Sequence, residues 1–271
     1  MDDTNYVIRK LLEGQALRES VIASIIQALE LPKGSRGLDA GCGIGLLALS
    51  LAKAVGPDGR ITGLDVEPGL LAYGEEVVRQ AGLSNQIQFR EGDVNSLPFE
   101  DGSFDWAWSA DCIGYPAWDL LPVLKELMRV VRPGGGIFLL AWSSQQILPG
   151  YALLEARLNA TCSGYLPFLK DKNPEEHFLR APRWFQEAGL EEIKAQTFVG
   201  QAQAPLGEDV RIALASLFEM LWGQPQPQVS PEDWEACQRL CKPGSAGFIL
   251  DQPGYYAFFT YTLVRGKVPT G

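Results

Sequence analysis

Apolar residues recur at the helical period through residues 6–31, at Ile8, Leu11 and Leu12 and again at Val21, Ile22, Ile25, Ile26 and Leu29. This pattern predicts two helices parted at Gly14. After the breaker Pro32-Lys33-Gly34 the period changes, and short apolar runs alternate with helical ones. Arg36–Ala40, Ile61–Asp65, Ile87–Glu91, Phe104–Ser109 and Ile137–Trp142 read as strands, with helices over Ile44–Val55, Leu70–Ala81 and Leu120–Val131 between them. Gly56-Pro57-Asp58-Gly59 stops the first of these helices and Arg132-Pro133-Gly134-Gly135-Gly136 the last. Ile137–Trp142 is almost wholly apolar, as a strand covered by helices on both faces would be. Strands alternating with helices predict an α/β fold with a doubly wound, mostly parallel sheet.

Beyond Trp142 the rhythm loosens. Helices are expected over Leu148–Cys162 and Pro182–Ala188, and a strand over Glu192–Val199. From Pro205 to Pro253 come a helix ending at Leu221, the proline-rich Gly223-Gln224-Pro225-Gln226-Pro227, and a helix over Pro231–Leu240. Tyr255–Arg265 reads as a closing strand. The expected organisation is one domain over 1–271: N-terminal helices (1–31), a ligand-binding core (36–142), helical lid insertions (143–190 and 205–253) and a last strand (255–265). The inserted helices are each too short to hold a core alone.

The candidate chemistry begins at Asp39-Ala40-Gly41-Cys42-Gly43-Ile44-Gly45, between the first core strand and its helix. Glycines there let backbone approach a ligand closely, and a helix N-terminus offers unpaired N–H groups to an anion such as phosphate or carboxylate. Asp65 ends the second strand, placed to accept the hydroxyls of a ribose, and Asp93 follows the third. Asp39, Asp65 and Asp93 thus stand at the carboxyl ends of adjacent strands, where open α/β sheets bind ligands.

Five ordered blocks resemble the class I S-adenosylmethionine-dependent methyltransferases, in particular their small-molecule branch. They are the glycine block just given, Gly63-Leu64-Asp65-Val66, Glu91-Gly92-Asp93-Val94-Asn95-Ser96-Leu97-Pro98-Phe99, Phe104-Asp105-Trp106-Ala107-Trp108-Ser109, and Leu127-Met128-Arg129-Val130-Val131-Arg132-Pro133-Gly134-Gly135. The likeness covers residues 36–142 and continues more loosely to 199. It implies a seven-stranded sheet with an antiparallel last strand and S-adenosylmethionine as cofactor. Gly41, Cys42 and Gly43 would lie along the methionine portion, with Asp39 and Gly45 also binding the cofactor; Asp65 would hold the ribose, and Asp93 would accept from the adenine amino group. Val66 and Val94 would sandwich the adenine, and Ser109 is a further cofactor-binding candidate. Two blocks depart from the family: Glu67-Pro68-Gly69 opens the helix after Asp65, and Asp111-Cys112-Ile113-Gly114-Tyr115-Pro116-Ala117-Trp118 replaces the usual His-rich segment. Contacts to the acceptor therefore do not carry over.

Methyl transfer from a sulfonium needs alignment and exclusion of water more than a catalytic triad. If the acceptor requires a base, Asp111 and Tyr115 are the candidates by position; His177, the single histidine, is assigned to the lid and left outside the site. The aromatics Tyr115, Trp118, Trp142 and Tyr165 would shape an apolar pocket at the mouth, and Tyr6 and Arg18 would fold over the cofactor.

Composition narrows the partners. With 46% hydrophobic and 21% charged residues, the 271-residue chain supplies a large core. Its formal net charge of −10 disfavours nucleic acid, whose phosphates call for Lys and Arg. The first residues show no basic region leading into an apolar run and no later stretch is long enough to span a bilayer, so the expected setting is cytoplasmic, with a small-molecule acceptor. The five cysteines, at 42, 112, 162, 237 and 241, are read as reduced. Cys237 and Cys241 share a helix face, yet one histidine is too few to complete a metal site, and no metal is expected. Three other readings remain open: an NAD-dependent oxidoreductase on the same loop, a non-catalytic cofactor-binding regulatory module, and a methyltransferase for arsenite built on gathered cysteines.

Overall fold

The computed structural model describes residues 3–113, 120–161, 177–225 and 227–271. Two helices open it, α1 (Asp3–Glu13) and α2 (Gln15–Ala28), parted at Gly14 as the periodicity predicts. Strictly alternating elements follow: β1 (Arg36–Ala40), α3 (Leu46–Val55), β2 (Arg60–Asp65), α4 (Pro68–Gln80) and β3 (Ile87–Glu91). Next come β4 (Phe104–Ala110), α5 (Leu120–Val130), β5 (Val131–Gln146), α6 (Ala152–Thr161) and α7 (Ala181–Ala188). β6 (Glu191–Gln203), α8 (Glu208–Trp222), α9 (Pro231–Cys241) and β7 (Tyr256–Lys267) complete the chain.

The seven strands form one sheet in the order β3-β2-β1-β4-β5-β7-β6. β1 to β5 are parallel, and β7 runs antiparallel to both β5 and β6. Side chains alternate between the two faces, as the pleat requires. Trp106, Trp108, Phe138, Leu140 and Trp142 join α2, α3, α8 and α9 in one core, which includes Ile25, Leu51, Leu214, Phe218 and Leu240. Ala107, Ile137, Leu139 and Ala141 join α5 and α7 in the other, with Val123, Leu127, Trp184 and Phe185. The sheet is therefore doubly wound.

Three strands outrun their expected limits. β5 starts at Val131 rather than Ile137: the glycine run read as a helix stop is a bulged strand entry, where a Cβ on Gly135 would stand 2.5 Å from the Asp105 carbonyl oxygen. At the far end the ladder continues through polar positions that periodicity alone does not assign to strands, pairing Gln146 with Phe258 and Gln203 with Tyr256. The stretches expected to form a lid are partly sheet-covering structure. α7 lies against α5 and β6, and the buried side chains of α8 and α9 belong to the same core as α2 and β7. Cys162 and Tyr165 lie outside the described residues, as do Tyr115 and Trp118.

This topology positions the site. β1 is followed by β2 and β3 on one side and flanked by β4 and β5 on the other, so the chain changes direction beside β1. The crevice at such a switch point, outside the carboxyl ends of the strands, is where α/β sheets take ligands.

Candidate cofactor site

The glycine loop leaves β1 through three left-handed residues, Gly41 (φ 78°), Gly43 (φ 53°) and Gly45 (φ 71°), a conformation that disfavours side chains. Space forbids them too. A Cβ on Gly41 would lie 2.2 Å from the Cys112 sulfur, and one on Gly45 2.4 Å from the Phe89 ring. The same ring fills the space left at Gly63, 2.6 Å from a notional Cβ, so one aromatic residue of β3 props the loop from behind. Nothing in the local sequence singles out Phe89.

Three of the loop's own amides are spent within the protein. The amides of Gly41 and Cys42 both donate to the Leu64 carbonyl (2.8 and 3.0 Å), and the Gly43 amide donates to Asp65 Oδ2 (2.8 Å). Asp65 Oδ1 accepts from the Glu67 amide (3.2 Å), and Glu67 caps α4 by accepting from Gly69 N (3.3 Å). The Asp65 carboxylate is thus fixed at the end of β2 with lone pairs remaining for a ligand.

Asp39 is 1% exposed, and its Oδ2 has no hydrogen-bond partner. Among the described residues only the indole N–H groups of Trp108 and Trp222 are likewise buried and unpaired. Burial, and then the nearby charge of Asp65, push the Asp39 carboxyl up to about 7. A buried carboxylate without a partner is costly, and a cationic ligand group would relieve that cost.

The remaining predicted residues separate into two sets. Asp93 stands beyond β3, with Oδ1 accepting from the backbone and side-chain nitrogens of Asn95 (2.8 and 2.7 Å). Val66 is 63% exposed at the rim, whereas Val94 is packed in the core with Leu64 and Leu97. Ser109 is buried, and its hydroxyl accepts from the Ile113 amide (3.2 Å), folding the chain back after β4. Burial is the main cause holding the thiols of Cys42 and Cys112 protonated, Cys112 at about 12, so the two are packing residues of the loop.

Several candidates are placed elsewhere. Asp111 is not a free base: Oδ1 accepts from the Trp142 amide (2.9 Å), Oδ2 accepts from the Tyr261 hydroxyl (3.1 Å), and Arg18 Nη1 lies 3.5 Å away. Trp142, expected at the mouth, is a core residue stacked on Phe259 with ring centroids 4.5 Å apart. His177 caps the short 3-10 turn Phe178–Arg180, its Nδ1 accepting from the Leu179 amide. Tyr6 is 38% exposed with the Arg9 and Lys10 cations over its ring, while Thr4 and Leu11 of the same helix approach Gly69 and Gly43. α1 therefore lies across the loop. Among the described residues no three metal-ligating side chains converge, and no helix is long and apolar enough to cross a membrane.

Residues 38–135 match the model of a methyltransferase domain. A demethylmenaquinone methyltransferase of Bacillus cytotoxicus is 32% identical over 200 residues, covering 67% of this chain and 81% of the relative. The corresponding Staphylococcus aureus protein is 33% identical over 196 residues, covering 66% and 78%. At the level of fold, a SAM-dependent methyltransferase from Aquifex aeolicus superposes with a TM-score of 0.53 at 18% identity, covering 97% of this chain and 99% of that one. The sequence relatives and the five motif blocks, set on this switch point, set aside the oxidoreductase reading: the chain belongs to the class I S-adenosylmethionine-dependent methyltransferases.

Proposed function

We propose that this protein transfers the methyl group of S-adenosylmethionine by direct displacement to a small, oxygen-bearing aromatic acceptor, and that Asp39 and Asp65 hold the cofactor between them. The observation that carries this reading is the partnerless, buried Asp39 Oδ2 beside a left-handed glycine loop. The methionine end of the cofactor brings an α-ammonium, which suits that carboxylate; a dinucleotide would bring a pyrophosphate, which Asp39 and Asp65 together would repel. Gly41, Cys42 and Gly43 would lie along the methionine portion and Gly45 would keep the approach clear. Asp65 would accept from the ribose hydroxyls, and Asp93 from the adenine amino group, with Val66 at the rim. Val94 and Ser109 support the walls from behind.

When bound, the sulfonium supplies an activated methyl group. The protein's part is to align the acceptor and exclude water. Thr4 and Leu11 of α1 cover the loop, and Cys112 packs against Gly41. Both Asp111 oxygens are committed within the protein, so a phenol or hydroquinone, whose own hydroxyl ionises readily, suits the site better than an acceptor needing a strong base. The relatives' names point the same way, since demethylmenaquinone is a quinone. The test is transfer of radiolabelled methyl from S-adenosylmethionine to a panel of reduced demethylmenaquinone, simple phenols, amines and apolar acids. Label in the quinol or phenol products is expected; label confined to amines or acids would overturn the acceptor class.

A further inference from the structure

Asp111 adopts a left-handed backbone (φ 50°) without being glycine, immediately after β4. Such a conformation persists only where its surroundings over-determine it. Here they do, from three directions: its amide donates to the Leu140 carbonyl (2.9 Å), Oδ1 accepts from Trp142 N, and Oδ2 accepts from the Tyr261 hydroxyl, with the Arg18 guanidinium beside it. Arg18 is the one member of this cluster that comes from the N-terminal helices. The next residue, Cys112, fills the space above Gly41, and Ile113 is pinned to Ser109. A partly buried ion pair, each side chain about a quarter exposed, therefore links α2 to the loop that packs against Gly41. α1, continuous with α2 through Gly14, reaches Gly43 and Gly69 from the other side.

We propose that Arg18 is a positioning residue that ties the N-terminal helices to the loop at 109–113, so that ligand binding at the glycine loop and ordering of residues 4–18 occur as one event. The inference rests on the cofactor reading above. Removing Arg18 takes away the cation beside Asp111 Oδ2, so its loss loosens the Asp111 loop as well as α2. The ion-pair and hydrogen-bonding partners of Arg18 are Asp111 and Tyr261, not the glycine loop or Asp65, so the cofactor cradle is expected to survive its loss.

Hydrogen–deuterium exchange of the full chain, with and without S-adenosylhomocysteine, tests this. In the wild type, ligand should protect residues 41–45 and residues 4–18 together. In Arg18→Met the protection at 41–45 should remain, that at 4–18 should be lost, and exchange over 109–113 should be about tenfold faster. Tyr261→Phe keeps the ring packing and removes one hydroxyl, so it should shift 109–113 in the same direction by less, which guards against a misfolded Arg18 variant. Joint protection retained in Arg18→Met, even with a lowered melting temperature, would overturn the proposal by reducing Arg18 to a structural contact. Absence of ligand protection at 41–45 in the wild type would remove the cofactor reading itself, and is seen before any variant is made.

Discussion

At the scale of single residues, Asp39 carries the most distinctive physics. Its carboxyl titrates near 7 in the folded protein against an ordinary 3.8, so the folded state holds this proton more tightly than the unfolded chain. The stabilising contribution is complete below about pH 4 and is lost as pH rises through about 7. Asp39→Asn abolishes that loss. The ligand-free variant should match the wild type near pH 4 and exceed it at pH 8 by on the order of 2–4 kcal/mol. Urea denaturation across this range checks the prediction; an offset that does not vary with pH would contradict it. The same variant should bind S-adenosylhomocysteine less tightly, because it trades a ligand-binding charge for stability. Asp39, Asp65 and the glycines were legible in the sequence because each sits within a few residues of a strand end. What Asp111 does was not legible, since its partners at 18, 142 and 261 meet it only through the fold.

At the scale of elements, type and order followed from periodicity, and the errors lie where tertiary contact outvotes local pattern. The polar end of β5 is a strand because β7 pairs with it, and the glycine run at its start is strand because Gly136 pairs with Trp106 of β4 and Lys267 of β7. The turn after β5 is a further case. Glu155, in α6, is fully buried, and its carboxylate accepts from the Ile147 amide (2.9 Å) and the Leu148 amide (2.9 Å), while the Tyr255 hydroxyl donates to the Ile147 carbonyl (3.0 Å). Burial raises the Glu155 pKa despite these donors. In the sequence Glu155 looks like an ordinary polar helix position. Glu155→Ala strands two buried amides and should cost about 2–5 kcal/mol in urea denaturation. Glu155→Gln keeps one acceptor oxygen and should cost less. Equal stability of the alanine variant and the wild type would contradict the role given to this residue.

At the scale of the whole molecule, the inserted helices are where the sequence was least informative. α8 and α9 read as a lid, yet their apolar faces close the same core as α2 and the aromatic ladder of β7. The helical period reveals that a face is apolar but not which surface receives it. The chain is acidic overall, with 33 Asp and Glu against 23 Lys and Arg, and at the switch point the proposed roles of Asp39 and Asp65 predict a cationic nucleoside ligand rather than a dinucleotide. Isothermal titration of the full chain with S-adenosylhomocysteine and with NAD, repeated on Asp65→Ala, tests this account most directly. Binding of S-adenosylhomocysteine but not NAD is predicted, with affinity weakened by about 1.5–3 kcal/mol, roughly ten- to hundredfold, in Asp65→Ala. Binding of NAD in its place, or an unchanged affinity in Asp65→Ala, would contradict it.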